Sequence, residues 1–566
     1  MAIPIGRILV VLLLVVGVFI GCGLGIEAVC TARSVRIAPG AVNPATVFLR
    51  WGSLAAAVIA VAHSALARCV WKYPLPFSVF FLLVVFMFNT IALFQFVAAG
   101  VCPWSDPRPA LLSYWYVPAA LLCLLANVHF FVIPRGLIVT NPFYRYVIAG
   151  GNSVFCTAAI LGVLLTPAIA AIPQPYGVIP SLLLLLVAAF GVWQSHASPR
   201  PLDEWEVVEL RMKDLHDEGA VGDSVGKLAD DTRVTSRNVP IQRYKDVNTA
   251  AADERSALDG GARHDRPPLR CIQITDPHIG CFLPPDRLAQ ICERTVEANP
   301  DLVFLTGDFF TVEGMREPTE MLTEALRPLR KLGPNKVYAC LGNHDLETAA
   351  VNDTVRQAVA AIGGRLLVDE SLIVETRLGP VRVSGFNYCM PTVAEESISR
   401  FYNMFPSALT EGDERVLPGE AAFPVGSPAA FPATEAIVGA LTSHTHTGHG
   451  TEVTRGSQAP PEAARCAILH ICLLHDPTAF VHLPRHALPT LVLSGHTHGG
   501  HIGLYSLGLK HATLVRLIGH YDNGLWLNKG NAMWVHRGQG SRSLMSNGIT
   551  RCGVPSEDSI FYVYVS

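Results

Sequence analysis

The first 200 residues are almost free of acidic side chains, and this imbalance constrains the fold more than any other feature of the sequence. They contain ten Lys/Arg residues but only two acidic residues, Glu27 and Asp106. Long apolar segments with so few charges are expected to lie in lipid as helices, because only helices and closed barrels satisfy their backbone there. The remaining residues hold 33 basic and 44 acidic side chains, which is typical of a globular domain.

Six apolar stretches approach the roughly 20 residues that a helix needs to cross a bilayer. They are residues 8–26, 51–67, 77–101, 111–133, 147–172 and 178–195. The sequence therefore predicts an N-terminal multi-span α-helical membrane domain over 1–196, with five or seven spans as alternatives. The first stretch has a second interpretation as a signal peptide, since Arg7 precedes it, but its apolar core is longer than usual.

The distribution of basic residues in the loops predicts the orientation of this membrane domain. With six spans, one side carries Arg7, Arg68, Lys72, Arg135, Arg145 and Arg200, and the other carries Arg33, Arg36, Arg50 and Arg108. Loops rich in Lys and Arg stay in the cytoplasm, so the rest of the chain is predicted to be cytoplasmic. An odd number of spans would reverse this orientation.

Residues 197–267 are rich in charge, Gly and Ala and are predicted to be a linker. Pro201 to Asp217 has the pattern of one amphipathic helix on the membrane surface. A Gly/Pro/Ala-rich stretch at about 404–465 is predicted to be an insertion within a domain that spans 268–566. The fourteen cysteines form no CxxC pair, so most are interpreted as small buried apolar residues.

From Leu269 onward, short apolar runs alternate with helical periodicity, which predicts an α/β fold. The predicted strands are Leu269 to Thr275, Asp301 to Thr306, Val337 to Leu341, Ala467 to Leu474 and Thr490 to Leu493. Their continuous apolar character predicts strands that are buried on both faces. Helices between them are predicted from apolar side chains at helical spacing, namely Leu288, Ile291, Cys292 and Val296, then Leu322, Leu326 and Leu329, then Val355, Val359 and Ile362.

Each of the five predicted strands is followed by side chains that can bind a metal. In chain order these are Asp276 and His278, then Asp308, then Asn343 with His344 and Asp345, then His475, then His496 and His498. Ligand crevices form at the strand ends of open α/β sheets, so residues this far apart in sequence can converge. One such residue would mean only a turn, whereas five in succession indicate a metal site.

The motifs Asp276-Pro-His278, Gly307-Asp308, Gly342-Asn343-His344-Asp345, His475 and Gly495-His496-Thr497-His498 resemble those of the calcineurin-like metallophosphoesterase superfamily. The resemblance covers about Leu269 to Ser566. Together with the tail Arg537-Gly-Gln-Gly540, it is similar to the bacterial branch of transmembrane metallophosphoesterases and UDP-diacylglucosamine hydrolases. It implies a four-layer αββα sandwich for the domain at 268–566.

The resemblance also implies a role for each residue. Asp276, His278 and His498 would bind one divalent metal ion, Asn343, His475 and His496 the other, and Asp308 would bridge both. This mixture of imidazole and carboxylate ligands suits Mn, Fe or Zn better than Ca or Mg. The ligands carry two negative charges, so two divalent ions leave the site at about +2, which attracts phosphate and acidifies a bridging water.

In this scheme a metal-bound hydroxide attacks the phosphorus of a phosphomonoester or phosphodiester. His344 would contact a phosphate oxygen or protonate the leaving group, and Asp345 would orient it. A membrane-anchored site favours a lipid-linked substrate because anchoring concentrates it near headgroups. Alternatives are a phosphoprotein or nucleotide phosphatase, and a membrane sensor or transporter with a regulatory phosphoesterase-like module. The acidity beyond residue 200 argues against nucleic acid as a partner, and the oligomeric state stays open.

Two similar segments compete for the last position, because His444 and His446 repeat the spacing of His496 and His498. The second pair is the predicted ligand pair. It follows His475, as the family order requires, and it comes after a glycine that allows close approach of the backbone. The first pair lies in the predicted insertion and is expected to be solvated.

Overall fold

The fold was analysed in a computed structural model of the chain. It describes residues 44–69, 150–162, 178–193, 204–221, 235–237, 240–244, 267–280, 283–310, 318–405, 467–540 and 551–565, with single positions between 85 and 176. The predicted spans at 8–26 and 111–133 lie outside the described residues, and so does all but two positions of the span at 77–101. The predicted insertion lies outside them from residue 406 onward, including His444 and His446.

Two seven-stranded sheets form the centre of the domain. The first has the order β3-β1-β16-β4-β5-β6-β7, built from β1 (Trp205–Arg211), β3 (Ile241–Tyr244), β4 (Leu269–Ile274), β5 (Leu302–Leu305), β6 (Val337–Ala339), β7 (Arg365–Leu366) and β16 (Ser559–Tyr564). The second has the order β2-β14-β15-β11-β10-β9-β8, built from β2 (Thr235–Arg237), β8 (Glu370–Thr376), β9 (Gly379–Gly385), β10 (Leu469–Leu473), β11 (Thr490–Ser494), β14 (Gly524–Asn528) and β15 (Asn531–Val535). A separate hairpin pairs β12 (Gly503–Leu504) with β13 (Leu509–Thr513).

The five predicted strands are the central parallel strands of these sheets. β4, β5 and β6 are parallel neighbours, and β10 and β11 are parallel neighbours in the second sheet. Alternate side chains of each strand enter different cores, as Leu302 and Phe304 face one cluster and Val303 and Leu305 face another. The prediction of strands buried on both faces is confirmed, since most side chains on both faces of these strands are apolar and buried, with Gln273 and His470 as buried polar exceptions.

Helices cover the outer faces of both sheets. α5 (Pro285–Glu297), α6 (Pro318–Leu326) and α7 (Ala349–Ala361) cover the first sheet, and α8 (Ala394–Met404) covers the second. α4 (Met212–Val221) instead begins with Met212 in the apolar cluster between the two sheets, and α9 (Leu514–Leu517) follows β13; three N-terminal helices are described below. One apolar cluster joins α5, α6 and α7 to the first sheet, a second joins the two sheets, and a third joins α8 to the second sheet. The predicted α/β domain is therefore confirmed, and its layers stack in the order α, β, β, α.

The N-terminal helices coincide with three of the predicted spans. They are α1 (Pro44–Cys69), α2 (Gly150–Gly162) and α3 (Val178–Val192). Among the residues that the structure describes, no helix combines the length and apolar character needed to cross a membrane. The membrane domain therefore stays a prediction from the sequence.

Residues 201–217 are not a single helix, so that prediction is wrong. The structure has β1 over Trp205–Arg211, followed by α4. β1 pairs in parallel with β16, near the C-terminus, and in antiparallel with β3. Trp205 and Val207 enter one core while Val208 and Leu210 enter the other, so burial of both strand faces outweighs the local helical pattern.

Glu206 of β1 makes a buried ion pair with the distant Arg537. The Glu206 carboxylate lies 2.7 Å from Arg537 Nη2, and both side chains are almost completely buried. Glu557 lies 3.4 Å from Arg537 Nη1, so one guanidinium joins two carboxylates. A segment predicted to be a linker thus supplies a strand and a buried charge to the domain.

We predict that Glu206→Ala lowers the free energy of unfolding by about 3 kcal/mol, because it leaves Arg537 buried with only one of these two carboxylate partners. Arg243→Ala is the matched control, since Arg243 contacts the same carboxylate at 3.4 Å from a side chain that is 51% exposed. Its cost should stay below about 1 kcal/mol. Urea denaturation of the full chain in detergent, monitored by tryptophan fluorescence, measures the free energy of unfolding of both variants. Equal midpoints for the two variants would contradict the structural role of Glu206.

Candidate metal centre

The predicted ligands lie at the carboxyl ends of the central strands, in turns with unusual backbone geometry. Five of them have φ between 41° and 69°, namely Asp276, His278, Asp308, His496 and His498. Residues other than glycine adopt this left-handed region infrequently, Asp, Asn and His more readily than most, and such residues cluster at functional sites. The tight turns direct successive side chains into one site.

Two glycines allow the strand-end turns to approach one another. A Cβ atom at Gly342 would lie 2.1 Å from Oδ1 of Asp308, and a Cβ atom at Gly495 would lie 2.1 Å from Oδ2 of Asp276. Any other residue would displace these carboxylates. The sequence predicted that the glycine before His496 allows close approach of the backbone, and the geometry agrees with this.

One group of predicted ligands consists of Asp276, His278 and His498. Nε2 of His278 lies 4.0 Å and Nε2 of His498 lies 3.8 Å from Oδ1 of Asp276. All three side chains are buried. Their potential ligand atoms lie within 4.8 Å of one another, which is compatible with a shared cation.

A second group consists of Asp308, His475 and His496, whose potential ligand atoms also lie within 4.8 Å of one another. Nε2 of His475 is 3.2 Å from Oδ2 of Asp308. Asn343 joins this group because its Oδ1 lies 2.9 Å from Nδ1 of His496. The structure thus brings together all seven predicted ligands in the two groups expected from the sequence.

Asp308 lies where the two groups meet. Its Oδ2 is 3.4 Å from Nε2 of His278 in the first group and 3.2 Å from Nε2 of His475 in the second. Its Oδ1 accepts a hydrogen bond of 2.9 Å from the backbone N–H of His344. One carboxylate therefore faces ligands of both groups, which is the position expected of a bridge.

The electrostatics favour positive charge beside Asp308. Burial alone would raise the pKa of Asp308, but His475, His344 and His278 together hold this pKa well below its usual range. Burial alone would lower the pKa of His475, but Asp308 raises it to about 10. In contrast, burial and the nearby His501 hold the pKa of His498 well below its usual value, so that this ring is neutral, as a metal ligand must be.

The hydrogen bonds of His278 and His475 test whether these residues fit a metal ion. Nδ1 of His278 lies 3.2 Å from the carbonyl oxygen of Phe310, and Nδ1 of His475 lies 2.7 Å from that of Thr306. A carbonyl can only accept, so Nδ1 of each ring carries a proton and Nε2 is the atom that faces Asp308. Without metal, the raised pKa of His475 keeps a second proton on this ring, at Nε2 opposite the Asp308 carboxylate. A divalent cation would take the place of that proton, and backbone-oriented imidazoles of this kind are typical of metal ligands. The residues fit a divalent metal.

His344 lies at the edge of the site, with 23% of its side chain exposed and Nε2 4.0 Å from Oδ2 of Asp308. The sequence assigned Asp345 to orient this ring, but its carboxylate accepts hydrogen bonds from the backbone N–H groups of Asp308, Phe309 and Gly342. Glu347 instead contacts Nδ1 of His344. Asp345 therefore holds the two ligand turns together, and burial together with the charge of Asp308 raises its pKa to about 7.

Sequence reasoning missed two residues that support the ligand turns. Gln539 accepts a 2.7 Å hydrogen bond from the backbone N–H of Thr275 and donates to the carbonyl of Gln273, so it braces the strand before Asp276. Arg551 is buried and donates to the carbonyl of His498 at 3.2 Å. Of these two residues, only Gln539 could have been found from the sequence, because it lies in the tail motif at 537–540.

A further buried cluster, His470, Cys472 and His486, has the residue types of a metal site but a different chemistry. Nε2 of His470 lies 2.8 Å from the Ser384 hydroxyl. His486 places Nε2 2.6 Å from the Tyr402 hydroxyl and Nδ1 2.9 Å from an amide oxygen. Side-chain hydrogen bonds thus occupy Nε2 of His470 and both nitrogens of His486, so a buried polar network accounts for this cluster without a metal ion.

We predict that His496→Ala removes metal from the purified protein, whereas His444→Ala combined with His446→Ala leaves the metal content unchanged. The reason is that His496 lies beside Asp308 and Asn343 at a strand end. Plasma mass spectrometry of the full chain measures the metal bound per chain. Equal metal loss in the double variant and the His496 variant would show that the ligand set is wrong at the fifth strand end.

Comparison with known proteins agrees with this geometry. Residues 269–407 match the model of the calcineurin-like phosphoesterase family. That range contains Asp276, His278, Asp308, Asn343 and His344, while the remaining predicted ligands follow it in sequence and join them in space.

Three curated proteins are similar over shorter ranges. UDP-2,3-diacylglucosamine pyrophosphatase LpxG of Chlamydia muridarum is 29% identical over 145 residues, 26% of this chain and 38% of that protein. Phosphodiesterase YaeI of Escherichia coli K12 is 24% identical over 110 residues, 19% of this chain and 40% of that protein. LpxG of Chlamydia trachomatis is 34% identical over 85 residues, 15% of this chain and 25% of that protein.

The chain spans two fifths or less of the length of these relatives. Their names describe a pyrophosphatase and a phosphodiesterase, both of which hydrolyse phosphoric esters or anhydrides. With the matched family model and the ligand residues gathered at the strand ends, the chain carries a calcineurin-like phosphoesterase domain, the domain of a family of metal-dependent hydrolases.

Proposed function

We propose that the chain is a membrane-anchored phosphoesterase that uses two divalent metal ions to hydrolyse a lipid-linked phosphomonoester or phosphodiester. The observation that carries the proposal is the position of Asp308, whose one carboxylate oxygen faces Nε2 of His278 and of His475. A carboxylate shared in this way suits a pair of cations better than a single one. Mn, Fe or Zn fits the mixture of imidazole, carboxylate and amide ligands.

When bound, such ions would supply positive charge to the phosphoryl oxygens and acidify a water for in-line attack. One ion would be held by Asp276, His278 and His498, and the other by Asn343, His475 and His496. Asp308 would bind both ions. The chain's own contribution is to fix these ligands in strained turns, so that no reorganisation is needed when substrate binds.

His344 is proposed to contact the substrate directly. Its backbone N–H is held by Asp308, its ring is partly exposed, and its Nε2 faces the site. Glu347 accepts a hydrogen bond from Nδ1 of His344. This contact directs Nε2 of His344 toward the phosphate or the leaving oxygen. This geometry suits transfer of a proton from Nε2 to the leaving group.

The substrate class rests on location and on the relatives. The name of LpxG describes a substrate with two acyl groups, and that of YaeI a phosphodiester. A site attached to apolar N-terminal segments meets membrane lipids at high effective concentration. The excess of basic residues in the loops on one side supports a cytoplasmic position for the domain.

We expect the full chain, purified in detergent and loaded with Mn²⁺, Fe²⁺ or Zn²⁺, to hydrolyse phosphate esters and to lose activity with a chelator. A panel of p-nitrophenyl phosphate, bis-p-nitrophenyl phosphate, a cyclic nucleotide and a lipid-linked pyrophosphate distinguishes monoesterase, diesterase and lipid specificity. The lipid-linked substrate should have the highest kcat/KM. Turnover that persists without metal, or that is confined to soluble nucleotides, would contradict the proposal.

In the same assay, His344→Ala should lower kcat by roughly 10²- to 10⁴-fold, as loss of a general acid does, while the metal content stays unchanged. Glu347→Gln should have a smaller effect because it weakens only the orientation of the ring. Loss of metal from the His344 variant would make it a ligand instead. The metal content, measured on the same samples, separates these two roles.

A further inference from the structure

The segment from Gly503 to Ile518, here called the apolar hairpin, exposes large apolar side chains beside the metal centre. It consists of β12, β13 and α9, and it begins directly after the ligand turn at 496–501. Leu507 is 75% exposed, Leu517 83% and Ile518 65%. Three further leucines of the hairpin are also exposed, namely Leu504, Leu509 and Leu514.

This concentration is unusual within the domain. Six of the ten exposed large apolar side chains in the described part of residues 204–565 belong to the apolar hairpin. Scattered exposed apolar residues are normal on soluble proteins, but a contiguous group of this kind indicates a surface that another apolar phase covers.

The charges of the hairpin indicate which phase that is. Between residues 501 and 521 the sequence has no acidic residue, and it contains Lys510 and Arg516 together with three histidines. The buried Asp522 that follows pairs with Arg516 at 3.4 Å, so Lys510 is the cation offered to an anionic headgroup. Apolar side chains accompanied by basic ones are typical of segments that lie in the interface of a bilayer, where cations contact anionic headgroups.

A second apolar surface adjoins the hairpin. A Cβ atom at Gly191, near the end of α3, would lie 2.2 Å from Sγ of Cys552, so the helix packs directly on that residue. Cys552 in turn accepts a 3.0 Å hydrogen bond from the N–H of Gly503 at the base of the hairpin. α3 exposes Leu182, Leu183, Leu186, Val187 and Phe190. The apolar helix and the apolar hairpin are therefore neighbours.

Two threonines hold the hairpin rigidly to the metal-ligand turn. Thr513 of β13 donates to the carboxylate of Asp522 at 3.1 Å, and Thr497, between His496 and His498, donates to the carbonyl of the same residue at 2.8 Å. The N–H of Leu514 also donates to the carbonyl of Ile502 at 2.8 Å. A surface in contact with the hairpin is thus held at a fixed distance from the site.

We propose that the apolar hairpin inserts into the interfacial layer of an anionic phospholipid bilayer and seats the metal centre against the headgroups. The exposed leucines enter the acyl boundary, and Lys510 contacts lipid phosphate. The inference rests on the membrane location in the proposed function but not on catalysis. It gives a reason for the neighbouring positions of α3 and the hairpin.

Photo-crosslinking of the full chain in nanodiscs that contain phosphatidylglycerol tests the proposal. Benzoylphenylalanine replaces Leu507 or Leu517 in the hairpin, Leu186 in α3, or Arg327, whose side chain is 69% exposed on the outer helical layer. Mass spectrometry then measures phospholipid adducts. We expect adducts at 507 and 517 that exceed those at 327 by at least about tenfold, as interfacial insertion requires.

The remaining outcomes each have a distinct meaning. Adducts at 186 without adducts at 507 or 517 would overturn the docking of the hairpin and leave the membrane location intact, whereas adducts at none of these positions would overturn both. Crosslinks from 507 or 517 to a second copy of the chain would identify a protein interface instead. Because the assay needs no turnover, its failure is separate from a failure of the phosphoesterase activity.

A paired activity measurement links the hairpin to substrate. Leu507→Glu with Leu517→Glu should lower hydrolysis of a vesicle-embedded phosphate ester by about tenfold or more, because charged side chains leave the acyl boundary. Hydrolysis of a soluble ester should stay unchanged, and Leu507→Met with Leu517→Met should match the parent protein. Equal loss on both substrates would contradict a docking role.

Discussion

The carboxylate of Asp308 is the interaction on which the rest of the site depends. It is buried, it faces one histidine from each ligand group, and it accepts a hydrogen bond from the backbone N–H of His344. A buried carboxylate is costly unless positive charge compensates it. The surrounding imidazoles supply part of that charge, and divalent cations held between their Nε2 atoms and Asp308 would supply the remainder.

The arrangement of the two sheets brings the metal-binding side chains together. Their parallel central strands end at the same edge, and apolar side chains on both faces fix the register of each strand. The ligands are then carried by short turns, with glycines where two turns touch. Asp345 and Arg551 bind backbone groups of these turns, so the supporting polar residues define the positions of the ligands more than they act on substrate.

Much of this arrangement could be predicted from the sequence, because its signals are local. An apolar run followed by a metal-binding residue marks a strand end, and five such signals identified the central strands and the residues that the structure brings together. β1 was missed because its partner β16 lies at the opposite end of the domain sequence, beyond any local pattern. The orientation of His344 was assigned to the wrong carboxylate, since spacing alone does not say that Asp345 turns toward the backbone while Glu347 turns toward the ring.

Anomalous diffraction from crystals of the metal-loaded full chain would show whether Asp308 bridges two metal ions. Two anomalous peaks are expected on either side of the Asp308 carboxylate, one beside Asp276, His278 and His498 and one beside Asn343, His475 and His496. A single peak that is not shared by Asp308, or a peak at His470, Cys472 and His486 instead, would contradict this bridging role.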